Sequence, residues 1–223
     1  MQNRFDKIKH EYYADDVKLD NVTNFLDTYT GEFNPFLIAN ARYKSKKNTR
    51  NLSMEDMMNV GDLRTSIAIN YGNSVHETIE LWVKYKYKPT QKHLLDCLEK
   101  FIEKYGDDYE SEKRTYSVEY MLGGTMDLLS DEYLDDIKTN ETNKKGGGRM
   151  KEPLQDIQVN NKNKAGLQLA VYEFLEGIKR KKRVLNWDGE EWETIELEDI
   201  DVSEIMQIRK EQVEKNKLIE DMF

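Results

Sequence analysis

The sequence predicts an α/β fold with helical additions. Hydrophobic spacing is helical from Gly72 to Tyr105, switches to a strand-like period from Lys113 to Thr139, and returns to helical spacing at Ala165. Helices, then about three strands, then a helix, further strands and a last helix place a sheet at the centre with helices packed on it. At 223 residues, with no internal repeat and no shift in composition, the chain is expected to be one domain, 1–223. Charged residues are 35% and apolar residues 38%, a polar balance, but 13 Tyr, 7 Phe and 3 Trp argue against disorder.

The elements follow in order. "EYYADDVKLDNVTNFLDTYT" reads as a short hairpin turning at Asp15-Asp16 and leading into Val22-Thr23. "FNPFLIANARYKSKKNTR" is expected to be helical after Pro35, ending in a basic run. Ser53, with Asp56 three residues on, caps a short helix. A clearer helix is expected to begin near Gly72, with Val75, Ile79, Trp82 and Val83 on one face. Another follows Thr90, with Leu94, Leu98 and Phe101 at helical spacing and Gly106 as its stop. "KRTYSVEYMLGGTMDLLS" and "EYLDDIKT" read as two strands joined by a turn near Ser130-Asp131. Residues 141–164 form a polar loop carrying "KKGGGRMK". The helix "AGLQLAVYEFLEGI" is expected to turn Leu167, Val171, Phe174 and Ile178 inward. "KRVLNWDGEEWETIEL" is a hairpin on Asp188-Gly189 turn chemistry, and a charged amphipathic helix runs from about Val202.

The stretch "YLDDIKTN" carries the chemistry. Asp136 and Lys138 are two apart on a strand and share a face that should be apolar if it were simply packed. Asp127, nine residues earlier, reaches the same end of the hairpin if the strands pair. Convergent carboxylates repel unless a proton or cation lies between them, and hard oxygen donors select Mg²⁺ or Mn²⁺. A strand-end aspartate is commonly a turn residue, and a strand lysine commonly guards an edge, so the pattern alone is weak. His76, beside the apolar face of its helix, adds an imidazole suited to the same metals. His10 and His93 have no comparable company. Gln168 and Tyr172 are four apart on one helix face, away from the apolar stripe, and suit either plain surface or a grip on a phosphate or base.

Net charge is −9, so any nucleic-acid partner needs a local basic surface. The loop supplies one: from Lys138 to Lys164 there are seven Lys or Arg against three acidic residues, with Lys144, Lys145 and Arg149 flanking three glycines. The single cysteine, Cys97, excludes an intrachain disulfide framework, a Cys-rich zinc site and a four-cysteine iron–sulfur cluster. No signal-peptide core or membrane-spanning window is legible, so no membrane partner and a soluble, cytoplasmic protein are expected.

Taken in order, "YGNSVHETIELW", "VEYMLGGTMDLL", "YLDDIKT" and "LQLAVYEF" resemble the PD-(D/E)XK nuclease superfamily, in the branch related to the RecB nuclease domain. The N-terminal "YYADDVKLDNVTNFL" is similar to phage and mitochondrial exonuclease-type members. The resemblance covers roughly residues 10–178 and implies a restriction-endonuclease-like core, a central mixed β-sheet flanked by helices. It implies His76, Asp127, Asp136 and the backbone carbonyl of Ile137 as ligands for one or two Mg²⁺ or Mn²⁺ ions. Lys138 matches the residue that orients the attacking water, Gln168 and Tyr172 match a helix motif that contacts substrate, and Glu119 falls where relatives often carry an acidic residue behind the site. The expected activity is metal-dependent DNA hydrolysis, exonuclease over endonuclease, in phage or bacterial recombination, repair or replication. A homo-oligomer or a replication or recombination partner protein is compatible with that branch. The alternatives are a catalytically silent nuclease-like module that binds DNA or protein, an acidic nucleic-acid mimic, and a metal-dependent phosphatase.

Overall fold

The computed structural model describes residues 2–30, 40, 43–44, 53–139 and 148–220. The expected helix after Pro35, and Lys144 and Lys145 of the basic loop, lie outside these residues.

An eight-stranded mixed sheet forms the centre, in the order β1-β2-β3-β5-β6-β7-β8 with β4 paired to β5. Its N-terminal part is a meander of β1 (Asn3–Asp6), β2 (Glu11–Ala14) and β3 (Val17–Asn21). The turn at Asp15-Asp16 is where the sequence places it, and β1 is an added strand. Helix α1 (Val22–Thr30) follows directly. Strands β4 (Glu110–Ser117), β5 (Leu122–Leu129) and β6 (Tyr133–Lys138) form an antiparallel meander. Helix α4 (Asn161–Glu176) carries the chain across to β7 (Lys181–Trp187), parallel to β6, and β8 (Trp192–Glu196) closes that edge.

Two expectations are corrected. The helix capped at Ser53 and the helix expected at Gly72 are one, α2 (Met54–Tyr85), 32 residues long, with a full Ser53–Asp56 capping box. Gly72 does not start it. A Cβ there would meet Thr139 Oγ1 at 3.0 Å, so the glycine lets the helix approach the end of β6. The stretch expected as a single strand from Lys113 onward is two, because residues 118–121 turn without glycine or proline. Met121 adopts φ 50° and its N–H bonds Val118 O at 3.4 Å.

Two hydrophobic layers sandwich the sheet. Leu134 of β6 packs with Val22, Phe25, Leu167 and Val171 from α1 and α4, and with Ile205 and Met206 from α5 (Ser203–Glu220). Ile137, three residues on and therefore on the other face, packs with Val75 and Ile79 of α2 and with Leu98 and Phe101 of α3 (Lys92–Tyr105). Helix α4 departs from its expected stripe. Leu167, Leu169, Ala170, Val171 and Tyr172 are all buried, whereas Phe174 is 39% exposed and meets Tyr120 edge-on. A helix covered on several sides shows no single apolar stripe.

Candidate active site

The site is built where the β5–β6 ladder stops. Leu129 pairs with Leu134 and Leu128 with Asp135, so the register carries Asp127 opposite Asp136. Pairing ends there, and the Asp127 side chain takes the next backbone donor: Ile137 N–H donates to Asp127 Oδ2 at 2.8 Å. On the other side of β5 the same register level belongs to Glu112 of β4. Its φ is 55°, and the ladder shows no pair between Ser111↔Leu128 and Lys113↔Met126. The side-chain alternation of β5 breaks at this level too. Leu122 and Met126 pack toward α4, but Leu128, of the same parity, packs toward α2 and α3. A locally irregular strand thus aims three carboxylates from three strands at one region.

His76 reaches this region from α2, one helical turn beyond Gly72, with Nδ1 3.5 Å from Asp127 Oδ2. Lys138 reaches it from β6. Its Nζ donates to Asp136 Oδ1 at 2.8 Å and stands 2.7 Å from Oδ2, as the shared strand face requires. The contact to Oδ2 lacks hydrogen-bond geometry, so that oxygen is buried and accepts no hydrogen bond. From α4, Gln168 Nε2 donates to Tyr172 OH at 3.0 Å. Tyr172 is 2% exposed rather than on the surface, and Gly124 of β5 makes room for it: a Cβ there would lie 2.3 Å from Tyr172 Cε1.

The electrostatics are those of a compact, balanced group. Burial works against the charged form of Asp127, but His76, Lys138 and the Ile137 N–H outweigh it and hold its pKa below the usual carboxylate value. Asp136 goes the other way: burial, aided by the Asp127 charge, pushes it up against the pull of Lys138. Burial also opposes the charges of His76 and Lys138, yet Asp127 for the first and Asp136 for the second raise both above their ordinary values. Tyr172 is raised by burial and stays a phenol, hence a hydrogen-bond donor.

His76, Asp127, Ile137, Lys138, Gln168 and Tyr172 all line one cleft of about 870 Å³. The Ile137 side chain itself packs into the core, leaving its backbone to face the site. Asp136 is buried and is not itself a lining residue; it meets the site through Lys138. Two further expected residues are not brought here. Glu119 sits on the β4–β5 turn, where it pairs with Lys210 at 2.7 Å and is not among the lining residues. Arg149 lines a separate concavity of about 830 Å³ beside the start of α4, and its Nη1 donates to Asp156 O. The sequence shows no sign of Glu112, Thr125 or Tyr12, and reads Glu80 as a solvated helix residue and His10 as without company, yet all five line the cleft. Glu112 gave no signal, because an acidic residue in a charged strand looks ordinary until its register and φ are known. Tyr12 comes from the N-terminal meander and bonds Thr125 Oγ1 at 2.8 Å; Gly123 clears its ring.

A comparison with protein-family models finds none that matches the chain, and a comparison with curated proteins finds no match.

For a divalent ion, two carboxylates and an imidazole are the appropriate hard and borderline donors, and Asp136 Oδ2 is buried, ion-paired to Lys138 and accepts no hydrogen bond. Among the described residues no three His, Cys, Asp or Glu side chains are gathered into a ready metal-binding group. The donors therefore fit Mg²⁺ or Mn²⁺ in kind, and a backbone oxygen is needed to complete a ligand set.

Proposed function

We propose that the cleft is the active site of a metal-dependent deoxyribonuclease, an exonuclease by its resemblance. One observation carries the reading. Four short motifs scattered over nearly 100 residues, on α2, β5, β6 and α4, line one cleft, with His76 on Asp127 and Lys138 on Asp136. Each lies on the kind of element the resemblance implies. His76, Asp127, Asp136 and the Ile137 carbonyl would hold Mg²⁺ or Mn²⁺. The chemistry such an ion supplies when bound is a more acidic water and a polarised phosphoryl oxygen. Lys138, freed from part of its hold on Asp136, places a positive charge where the phosphodiester gains negative charge. Tyr172 and Gln168, in the same lining, offer an O–H and an amide to a phosphate or base. DNA is the proposed partner, and no helix among the described residues is long and apolar enough to cross a membrane.

The test is incubation with end-labelled single- and double-stranded DNA in EDTA, Mg²⁺ or Mn²⁺, beside Asp136→Asn. The expected result is metal-dependent shortening of the label that the variant lacks. Cleavage that persists in Asp136→Asn removes the assignment. A second reading, a nuclease-like module that binds DNA or protein without cutting, draws on the lack of a ready three-residue metal group among the described residues. It predicts DNA binding with no cleavage under either metal.

A further inference from the structure

Strands β1 and β2 are joined by four residues, Lys7-Ile8-Lys9-His10, between the register pair Asp6↔Glu11. Ile8 is 98% exposed at this tip. Tight turns favour Gly, Asn, Asp or Pro, so a β-branched apolar residue there needs a reason. The tip is also held in shape: Asp6 Oδ1 accepts from Ile8 N–H and from Lys9 N–H, both at 3.0 Å, and the His10 ring meets Phe5 edge-on at 5.2 Å. Ile8 is thus presented on a fixed loop. Phe5, Lys7 and His10 line the same cleft as His76, Asp127 and Lys138, which places the tip at its mouth. Ile69 of α2 is 55% exposed and lines the cleft as well.

Charge gives the tip its occupant. The cleft lining carries Glu77, Glu80, Glu112 and Asp127 against Lys7 and Lys138, an acidic excess that needs further cations to admit a polyanion. Lys7 and Lys9 are exposed and make no hydrogen bond or ion pair among the described residues, Lys9 acting only at longer range on Glu11, so both ammonium groups can reach phosphates. An exposed apolar side chain between two such lysines matches an unstacked base with its flanking phosphates.

We propose that the Lys7–His10 tip is a strand-end contact. Ile8 packs against an unpaired terminal base of DNA, and Lys7 and Lys9 hold the neighbouring phosphates so that the end enters the cleft past Phe5 and His10. The proposal rests on the nuclease reading of the cleft and adds what that reading leaves open, the class of substrate. The unpaired base is the shared chemistry of a single strand and of a frayed duplex end.

The test uses the full chain in EDTA, which separates binding from cleavage. The probes are a linear single strand and a blunt duplex, each with 2-aminopurine at its end, and a single-stranded circle. The fluorescence of the terminal base is expected to change on the linear strand, and binding to exceed that to the circle. Ile8→Ser is expected to remove the fluorescence change and weaken binding about tenfold. Lys7→Ala with Lys9→Ala is expected to reduce the salt slope of binding by about 1.4. A fluorescence change on the duplex as well would identify frayed ends as a source. Affinity, salt slope and fluorescence unchanged in both variants overturn the tip. Metal-dependent cleavage lost in Asp136→Asn reports separately on the cleft, so either idea can fail while the other stands. No DNA binding by the parent protein in EDTA overturns the tip and leaves the cleft to the cleavage assay.

Discussion

The two adjacent aspartates of "YLDDIKTN" divide two tasks between them. Asp135 faces the α2–α3 layer, where Arg183 of β7 grips it through two bonds, Nε to Oδ1 at 2.8 Å and Nη2 to Oδ2 at 2.7 Å. The guanidinium also lies 3.3 Å over the Tyr133 ring. Asp136, on the opposite face, has only Lys138 as a partner among the described residues. Removing one partner of a buried bidentate pair leaves an uncompensated charge, so Arg183→Met is expected to destabilise the fold by about 3–5 kcal/mol in urea denaturation. Asp136→Asn is expected to leave stability near that of the parent. If the two variants lose stability equally, the division of labour is wrong. Lys138→Ala is expected to keep Mn²⁺ binding in calorimetry while losing about 10²–10³-fold in turnover; loss of the binding heat instead would give Lys138 a structural role. Cys97 is fully buried and its thiol is pushed up to about 12 by burial. It is therefore expected to ignore a thiol reagent at pH 8 until urea unfolds the chain.

Elements were legible in proportion to how locally they are specified. Helix α3 carries a clean apolar stripe and ends where Gly106 predicts, and the Trp187↔Trp192 hairpin turns where Asp188-Gly189 predicts. The Asp188 carboxylate takes the N–H groups of Glu190 and Glu191 at 2.8 Å. Where glycine answers to a neighbour rather than to a turn, local reading misleads. Gly72 read as a helix start because nothing in the sequence shows Thr139 beside it. Gly123 and Gly124 read as strand residues, although each clears a tyrosine from a distant element, Tyr12 on one side and Tyr172 on the other. Gly124→Ala is accordingly expected to cost about 1–3 kcal/mol in urea denaturation and to displace Tyr172. An unchanged urea midpoint would mean that the ring moves aside without loss. The β4–β5 turn was missed for the converse reason: it uses Met121 at positive φ, where turn chemistry gives no warning.

At the scale of the molecule, a second charge cluster ties α4, β7 and the segment before α5 together. Lys182 is 2% exposed and pairs with Glu173 at 2.9 Å and with Asp199. Burial favours the protonated form of Glu173, but Lys182, the Arg180 N–H and Lys179 outweigh it and hold its pKa below the usual value. Lys182 first, then Lys179, does the same to Asp199. Both carboxyls bind protons more weakly folded than unfolded, so their stabilisation is complete above the unfolded carboxylate range and is lost as pH falls. The urea midpoint is expected to drop below about pH 4, and to drop less in Lys182→Met. Equal acid profiles would show that the cluster does not contribute. The sequence by itself determined the α/β class, most element types, and the residues His76, Asp127, Asp136, Lys138, Gln168 and Tyr172, because periodicity and residue chemistry are local properties. Only the tertiary structure decided that five of these line one cleft with Asp136 buried behind them on Lys138, that Glu112 and Tyr12 join them, and that Glu119 and Arg149 do not. Register between strands and the approach of distant elements are set by packing, which no window of sequence contains.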